Sequence, residues 1–185
     1  MIDVAQKYSE ELEKLFYNTW YDMRYKFYHN HVYCNKLKLD DDNWKYNDFV
    51  SMYGDIIIGH ISYSIDRTTD SVTNLGLINF RLDDKALSAI FAKDIIRIFR
   101  DIFEKFNLEK IQFRAIMGDN PSLVKYRKLV KKFGGRVVGY FREDTRLMDN
   151  KLYDTELYEI FKKDFVNSIE DRKPTQYKVS SNRSK

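Results

Sequence analysis

Cysteine is all but absent. Cys34 stands alone, which excludes an internal disulfide and points to a reducing compartment, the cytoplasm. No base motif surrounds that thiol, so packing is its simpler role. Proline occurs twice and glycine seven times, too few for a collagen-like or low-complexity chain. Long apolar runs are missing: no stretch approaches the roughly 18 apolar residues that a membrane helix needs, so no membrane span is expected. The opening Met1-Ile2-Asp3-Val4 lacks a basic region leading into an apolar run, so no secretory leader is expected. A charge excess on the body is missing too. The net charge is +4, and the tail 171–185 holds five basic residues against one acidic, leaving 27 of each sign elsewhere. A nucleic-acid-binding fold carries its basic footprint on the folded body, so a nucleic-acid partner is not expected.

What is present fits a globular chain: 185 residues, 43% hydrophobic and 32% charged. The expected organisation is one domain over 1–168 and a basic tail over 169–185, rich in Ser, Asn and Lys and expected to be disordered.

Val4, Tyr8, Leu12 and Leu15 recur at helical spacing, and Trp20, Met23 and Phe27 continue the rhythm into a second helix. Residues 35–48 read as a polar loop. Within it Asp40-Asp41-Asp42 lacks the spacing of a calcium loop and reads as a turn or cap. Strands follow over 56–65 and 72–82, the second interrupted by Gly76, which suggests a bulge or a close approach. Phe91, Ile95, Ile98, Phe99, Ile102, Phe103 and Phe106 form the apolar stripe of a long helix ending near Asn107. A strand over 110–117 leads to a helix capped by Asn120, opened by Pro121 and stopped at Gly134-Gly135. Two more strands are expected over 136–147 and 153–161. The central β-α-β unit implies a parallel pair with a right-handed crossover. The flanking hairpins make the rest antiparallel.

Four segments resemble the GNAT superfamily of acyl-CoA N-acyltransferases: GHISYSIDR (59–67), LGLINF (75–80), GDNPSLVKYRKLVKKFGGRVVG (118–139) and DTELYEI (154–160). The resemblance implies an α/β (α+β) fold with a mixed, mostly antiparallel central sheet, a central β-α-β unit and helices on both faces. It implies acetyl-CoA as co-substrate, no metal, a small-molecule or peptide amine as acceptor, and a monomer or homodimer. The backbone of Leu77, Ile78, Asn79 and Phe80 would hold the acyl carbonyl and pantetheine, with Asn120 and Ser122 adding contacts. Counting back from Ile95-Ile96 puts the pyrophosphate loop on 87–92, with Ser88, Ala89, Ala92 and Lys93 around the phosphates and Lys85 nearby. There Ile90 stands where the family carries glycine.

Acyl transfer to an amine needs an acid for the leaving thiolate and a base for the amine. Tyr126 fits the first, with a phenol of ordinary pKa near 10. His60 is the nearest candidate for the second, with Ser62 and Ser64 on its face, Ile57 on the other, and a surface histidine as the simpler alternative. Glu143 with a water chain is also open, whereas His29 and His31 are not favoured. The main alternative to an N-acetyltransferase is a catalytically silent module of the same fold. A nucleic-acid-directed protein ranks below both.

Overall fold

The long apolar stripe is buried as its spacing predicts. The computed structural model describes residues 1–28, 39 and 44–170. In it α1 (Ser9–Thr19) comes first in the chain, and the stripe forms one face of the longer α2 (Lys85–Arg100) and of the turn that follows it. Ile98, Phe99, Ile102 and Phe103 are essentially inaccessible to solvent. Asp84 caps the start of α2, its Oδ1 accepting from the backbone N–H of Ala86 at 2.8 Å and Leu87 at 2.9 Å. The last turn widens over Asp101–Lys105, and Asn107, at φ +54°, ends it. Helix α3 (Pro121–Lys132) is capped by Asn120 and stopped by Gly134 at φ +70°, as expected. Helix α4 (Lys162–Glu170) follows the last strand.

Seven strands form one sheet: β1 (Ile2–Val4), β2 (Tyr46–Tyr53), β3 (Ile56–Asp66), β4 (Ser71–Asn79), β5 (Lys110–Ile116), β6 (Arg136–Arg146) and β7 (Leu152–Phe161). Their order is β1-β2-β3-β4-β5-β7-β6. Every neighbouring pair is antiparallel except β4 and β5, the parallel pair that α2 connects. The mixed, mostly antiparallel sheet is the one expected.

Each face has its own core. One is built by Ile58, Ile61, Leu77, Ile111 and Phe113 with α2, α3 and Phe165 of α4. The other is built by Val50, Met52, Ile57, Ile78 and Phe80 with Ala5, Leu12 of α1 and Tyr25. Helices therefore cover both faces.

Four elements depart from expectation. Ile2–Val4 is a strand, and α1 starts only at Ser9. The second helix is a 3-10 segment, Met23–Tyr28. The polar stretch read as loop to residue 48 ends in β2, whose buried positions include Asn47 and Ser51, so its apolar alternation is broken. Helix α4 follows β7, where the sequence showed no element beyond Phe161. Cys34, His29, His31, Asp40-Asp41-Asp42 and the tail from Asp171 lie outside the described residues.

Candidate active site

Strands β4 and β5 pair only at Ser71 with Lys110 and Val72 with Ile111. Beyond that point β4 stays with β3 and β5 stays with β7, so a wedge opens between their C-terminal ends. The cause is local. Between Ser62–Gly76 and Ser64–Thr73 the pairing slips, giving β4 an extra residue at Asn74-Leu75, with Asn74 at φ +52°. Such a bulge bends its strand and sharpens its twist. Gly76 sits beside it because a Cβ there would come within 2.6 Å of Ser62 Oγ, the close approach that an isolated glycine suggests.

Tyr126 reaches this wedge from α3. Its ring meets Phe113 of β5 edge to face, with centroids 5.6 Å apart, and its hydroxyl donates to the Leu77 carbonyl at 3.4 Å. Burial pushes this phenol well above the ordinary tyrosine value, and the nearby Tyr28 hydroxyl adds to the shift. The group therefore keeps its proton at any physiological pH and has it available to donate. Arg127, the next residue, pairs with Glu156 of β7, whose carboxylate is wholly buried, and this ties α3 to the sheet.

The 3-10 segment spans the open end of the wedge. Tyr25 donates to the Asn79 carbonyl at 3.0 Å, and Tyr28 Oη lies 2.7 Å from Ser122 Oγ at the start of α3. Lys26 bonds Tyr153 Oη at 2.6 Å and pairs with Asp149 at 2.8 Å, in β7 and the β6–β7 connection. Lys26 and Tyr153 hold the Asp149 carboxyl down at about 2. Tyr25, Lys26 and Tyr28 carry no motif, so the sequence offered only the aromatic character of the two tyrosines as a signal.

His60 is buried, not a surface residue. The pairing of β2 with β3 slips at Ser51/Met52, leaving Ile58 as an extra residue. That slip brings Ile57 and His60 to the same face, where sequence alternation had separated them. There His60 meets Phe16 of α1 edge to face at 5.5 Å, and its Nε2 lies 3.1 Å from Asp48 Oδ1. The approach suits an ion pair once the imidazole is protonated, but it is not aligned as a hydrogen bond. Asp48 is a partner made by strand pairing, invisible in the linear chain. His60 and Tyr126 thus approach the sheet from opposite faces and are not in contact, although His60 pairs in register with Ile78, the neighbour of Leu77. Glu143 is exposed on β6, its backbone N–H bonded to Asp154.

The expected phosphate loop is displaced. Residues 87–92 lie inside α2, whose first residue is Lys85, because the cap is Asp84. Ala89, Ala92 and Lys93 lie towards its outer side, and Ile90 packs against the core. Ser88 Oγ donates to the Arg81 carbonyl at 3.1 Å and accepts from Asn79 Nδ2 at 2.8 Å, so both side chains brace the β4–α2 connection. Asn120 is likewise used as a cap, accepting from Ser122 N–H at 2.9 Å and donating to the Ile116 carbonyl at 2.7 Å. Leu77, Ile78 and Phe80 have core side chains, as expected, and Leu77 and Asn79 present their carbonyls at the wedge.

The candidate site therefore has two regions of different character. The wedge, with unpaired strand edges and a phenol donor, suits the acyl-pantetheine arm. The start of α2, where a carboxylate already takes the free N–H groups, does not suit the pyrophosphate. Among the described residues no group of three His, Cys, Asp or Glu side chains is placed to hold a metal, and no helix is long and apolar enough to cross a membrane.

No protein-family model matches this sequence, and no curated protein matches it. Solved structures do. The spermidine/spermine N-acetyltransferase SpeG from Vibrio cholerae, in complex with manganese ions, superposes with a TM-score of 0.55 at 18% identity, over 69% of this chain and 71% of that one. A protein from T. thermophilus, provisionally described as an acetyltransferase, gives 0.54 at 19% identity over 68% and 64%. A further provisional acetyltransferase gives 0.55 at 19% over 66% of this chain, which spans 60% of the length of that one. At these identities the likeness is one of fold: this chain has the GNAT fold.

Proposed function

We propose that this chain is an N-acyltransferase that moves an acyl group from a pantetheine thioester, acetyl-CoA in the simplest case, to a primary amine. The observation that carries the reading is the Tyr126 hydroxyl at the Leu77 carbonyl, inside a wedge opened by a bulge in β4. A bound thioester would supply a carbonyl open to amine attack and a sulfur leaving group. The backbone of Leu77, Ile78 and Asn79 lines one wall and would position the acyl end. Tyr126 keeps its proton on Oη beside that wall, where departing sulfur needs one. His60, on the neighbouring strand with its Nε2 3.1 Å from Asp48 Oδ1, is the candidate to take the amine's proton. The acceptor class is a small-molecule or peptide amine. Spermidine is the first compound to try, because it names the activity of a structural neighbour. The expected compartment is the cytoplasm.

The test is acetyl transfer to spermidine, a lysine peptide and a peptide with a free N-terminus. Tyr126→Phe should lower turnover at least tenfold with little change in donor affinity. Unchanged turnover removes Tyr126 from the chemistry. A second reading, a silent module of the same fold, is favoured by the carboxylate at the start of α2. It predicts no transfer to any amine and no donor binding.

A further inference from the structure

We infer that the donor is recognised through its acyl-pantetheine arm alone, and that the nucleotide half of CoA adds no affinity; this rests on the wedge being the donor site. A helix N-terminus binds anions because its first N–H groups lack partners and its dipole end is positive. Here the first-turn N–H groups of Ala86 and Leu87 bond the Asp84 carboxylate at 2.8 and 2.9 Å, and Ser88 N–H bonds the Asp84 carbonyl at 2.9 Å. The dipole's counter-charge is supplied by the protein, and a pyrophosphate would meet a carboxylate where it needs donors.

The surroundings offer no compensation. Asp83, its side chain 85% exposed, adds a second negative charge beside the cap. Arg24 reaches the junction, but its guanidinium is shared between Asp22 and Asp83. Arg81 turns inward, its Nε donating to the Ile57 carbonyl at 3.3 Å, and Lys85 is exposed. Three acidic side chains (Asp22, Asp83, Asp84) stand against three basic ones (Arg24, Arg81, Lys85), so the junction carries no net positive charge for a polyphosphate. Sterically, Ile90 is a core-packing residue on α2, so it opens no approach for a phosphate. Asn79 and Ser88 hold the β4–α2 connection closed through side-chain bonds. Along the wedge Leu77, Ile78 and Asn79 carry no charge, and the groups already bonded to their carbonyls are the neutral phenols of Tyr126 and Tyr25. The structure therefore suits a pantetheine thioester from either source, free CoA or a phosphopantetheine arm on a carrier protein.

The experiment is calorimetric titration of the full chain with acetyl-CoA and with S-acetylpantetheine, which lacks every phosphate. The two affinities should agree within about threefold. Acetyl-CoA binding more than about thirtyfold tighter than S-acetylpantetheine overturns the inference while leaving the proposed function intact. Binding of neither compound overturns both. The double variant Asp83→Asn/Asp84→Gly removes both charges and frees the N–H groups at little cost in capping. It should bind acetyl-CoA about tenfold tighter than the parent and leave S-acetylpantetheine unchanged. If acetyl-CoA affinity stays level or falls in a folded double variant, the carboxylates are not what exclude the nucleotide, and the inference fails. Acetyl transfer from a loaded carrier protein and from acetyl-CoA, compared at equal concentration, then separates the two sources.

Discussion

The pair Arg127–Glu156 sets the position of Tyr126, and breaking it should show in stability and in turnover together. Glu156 is wholly buried on β7, and Arg127 grips it in a bidentate arrangement, Nε donating to Oε1 at 3.0 Å and Nη2 to Oε2. Arg127→Met leaves the carboxylate buried without its partner. A stranded buried charge costs roughly 3–5 kcal/mol, and the half-exposed guanidinium puts this case at the low end, about 3 kcal/mol. For a chain of this size that lowers Tm by roughly 6–12 °C. The sign of the pH dependence is set by the Glu156 carboxyl, which Arg127 holds below the usual range in the folded protein. Its stabilisation is present above the unfolded value near 4.3 and is lost as pH falls through the lower folded value. In Arg127→Met the folded value rises, so the penalty is full at neutral pH and fades as pH falls towards the unfolded value. The double variant Arg127→Met/Glu156→Leu should regain most of the loss, because an apolar pair can replace a buried ion pair. Thermal melts by circular dichroism at pH 7 and pH 4 read all of this. A single-variant loss under about 1 kcal/mol, or one that does not change with pH, would refute the reasoning.

Other perturbations follow from the same geometry. Gly59→Ala should cost about 2–3 kcal/mol in chemical denaturation, because its Cβ would lie 2.5 Å from the Ile78 carbonyl oxygen, and backbone cannot swing aside. Ile90→Gly should lower stability by about 2 kcal/mol, through lost packing and a glycine inside α2, without changing donor affinity. His60→Gln should preserve donor binding while lowering turnover, read from steady-state kinetics at saturating donor. In acid, the 3-10 segment should loosen as pH drops from the unfolded aspartate value near 3.9 through about 2, where Asp149 takes up a proton and releases Lys26. A change in the NMR signal of the Tyr153 ring would report it.

Much of the fold was legible because its signals are strong and local. The stripe from Phe91 to Phe106, the Asn120-Pro121 start and the Gly134 stop each gave an element with nearly correct bounds. Strand β2 was hidden because it buries Asn47 and Ser51, whose partner Asp94 Oδ2 lies 2.7 Å from Ser51 Oγ and comes from a helix far along the chain. Helix α4 was hidden because nine residues around Phe165 carry too short a stripe. Within the candidate site, the family pattern named Tyr126 and the β4 backbone, and the structure sets the Tyr126 hydroxyl against the Leu77 carbonyl. The burial of His60 could not be read, since the second core that covers its face is assembled from Ala5, Leu12 and Tyr25, far along the chain, while the extra residue at Ile58 shifts only Ile57 onto that face. Counting back from Ile95-Ile96 set the helix start too late, so residues 87–92 fall inside α2. The better signal was Asp84 followed by Lys85-Ala86-Leu87, an N-cap opening a run of good helix formers.

The central claim is that the wedge between β4 and β5 receives the acyl donor. Amide NMR during titration with S-acetylpantetheine tests it most directly. The account predicts shifts clustered at Leu77, Ile78 and Asn79 and at the facing edge of β5 from Phe113 to Ile116, and a clear weakening of those shifts when a bulky residue is placed at Ala115. Shifts confined to other surfaces, or none at several millimolar ligand, would contradict it.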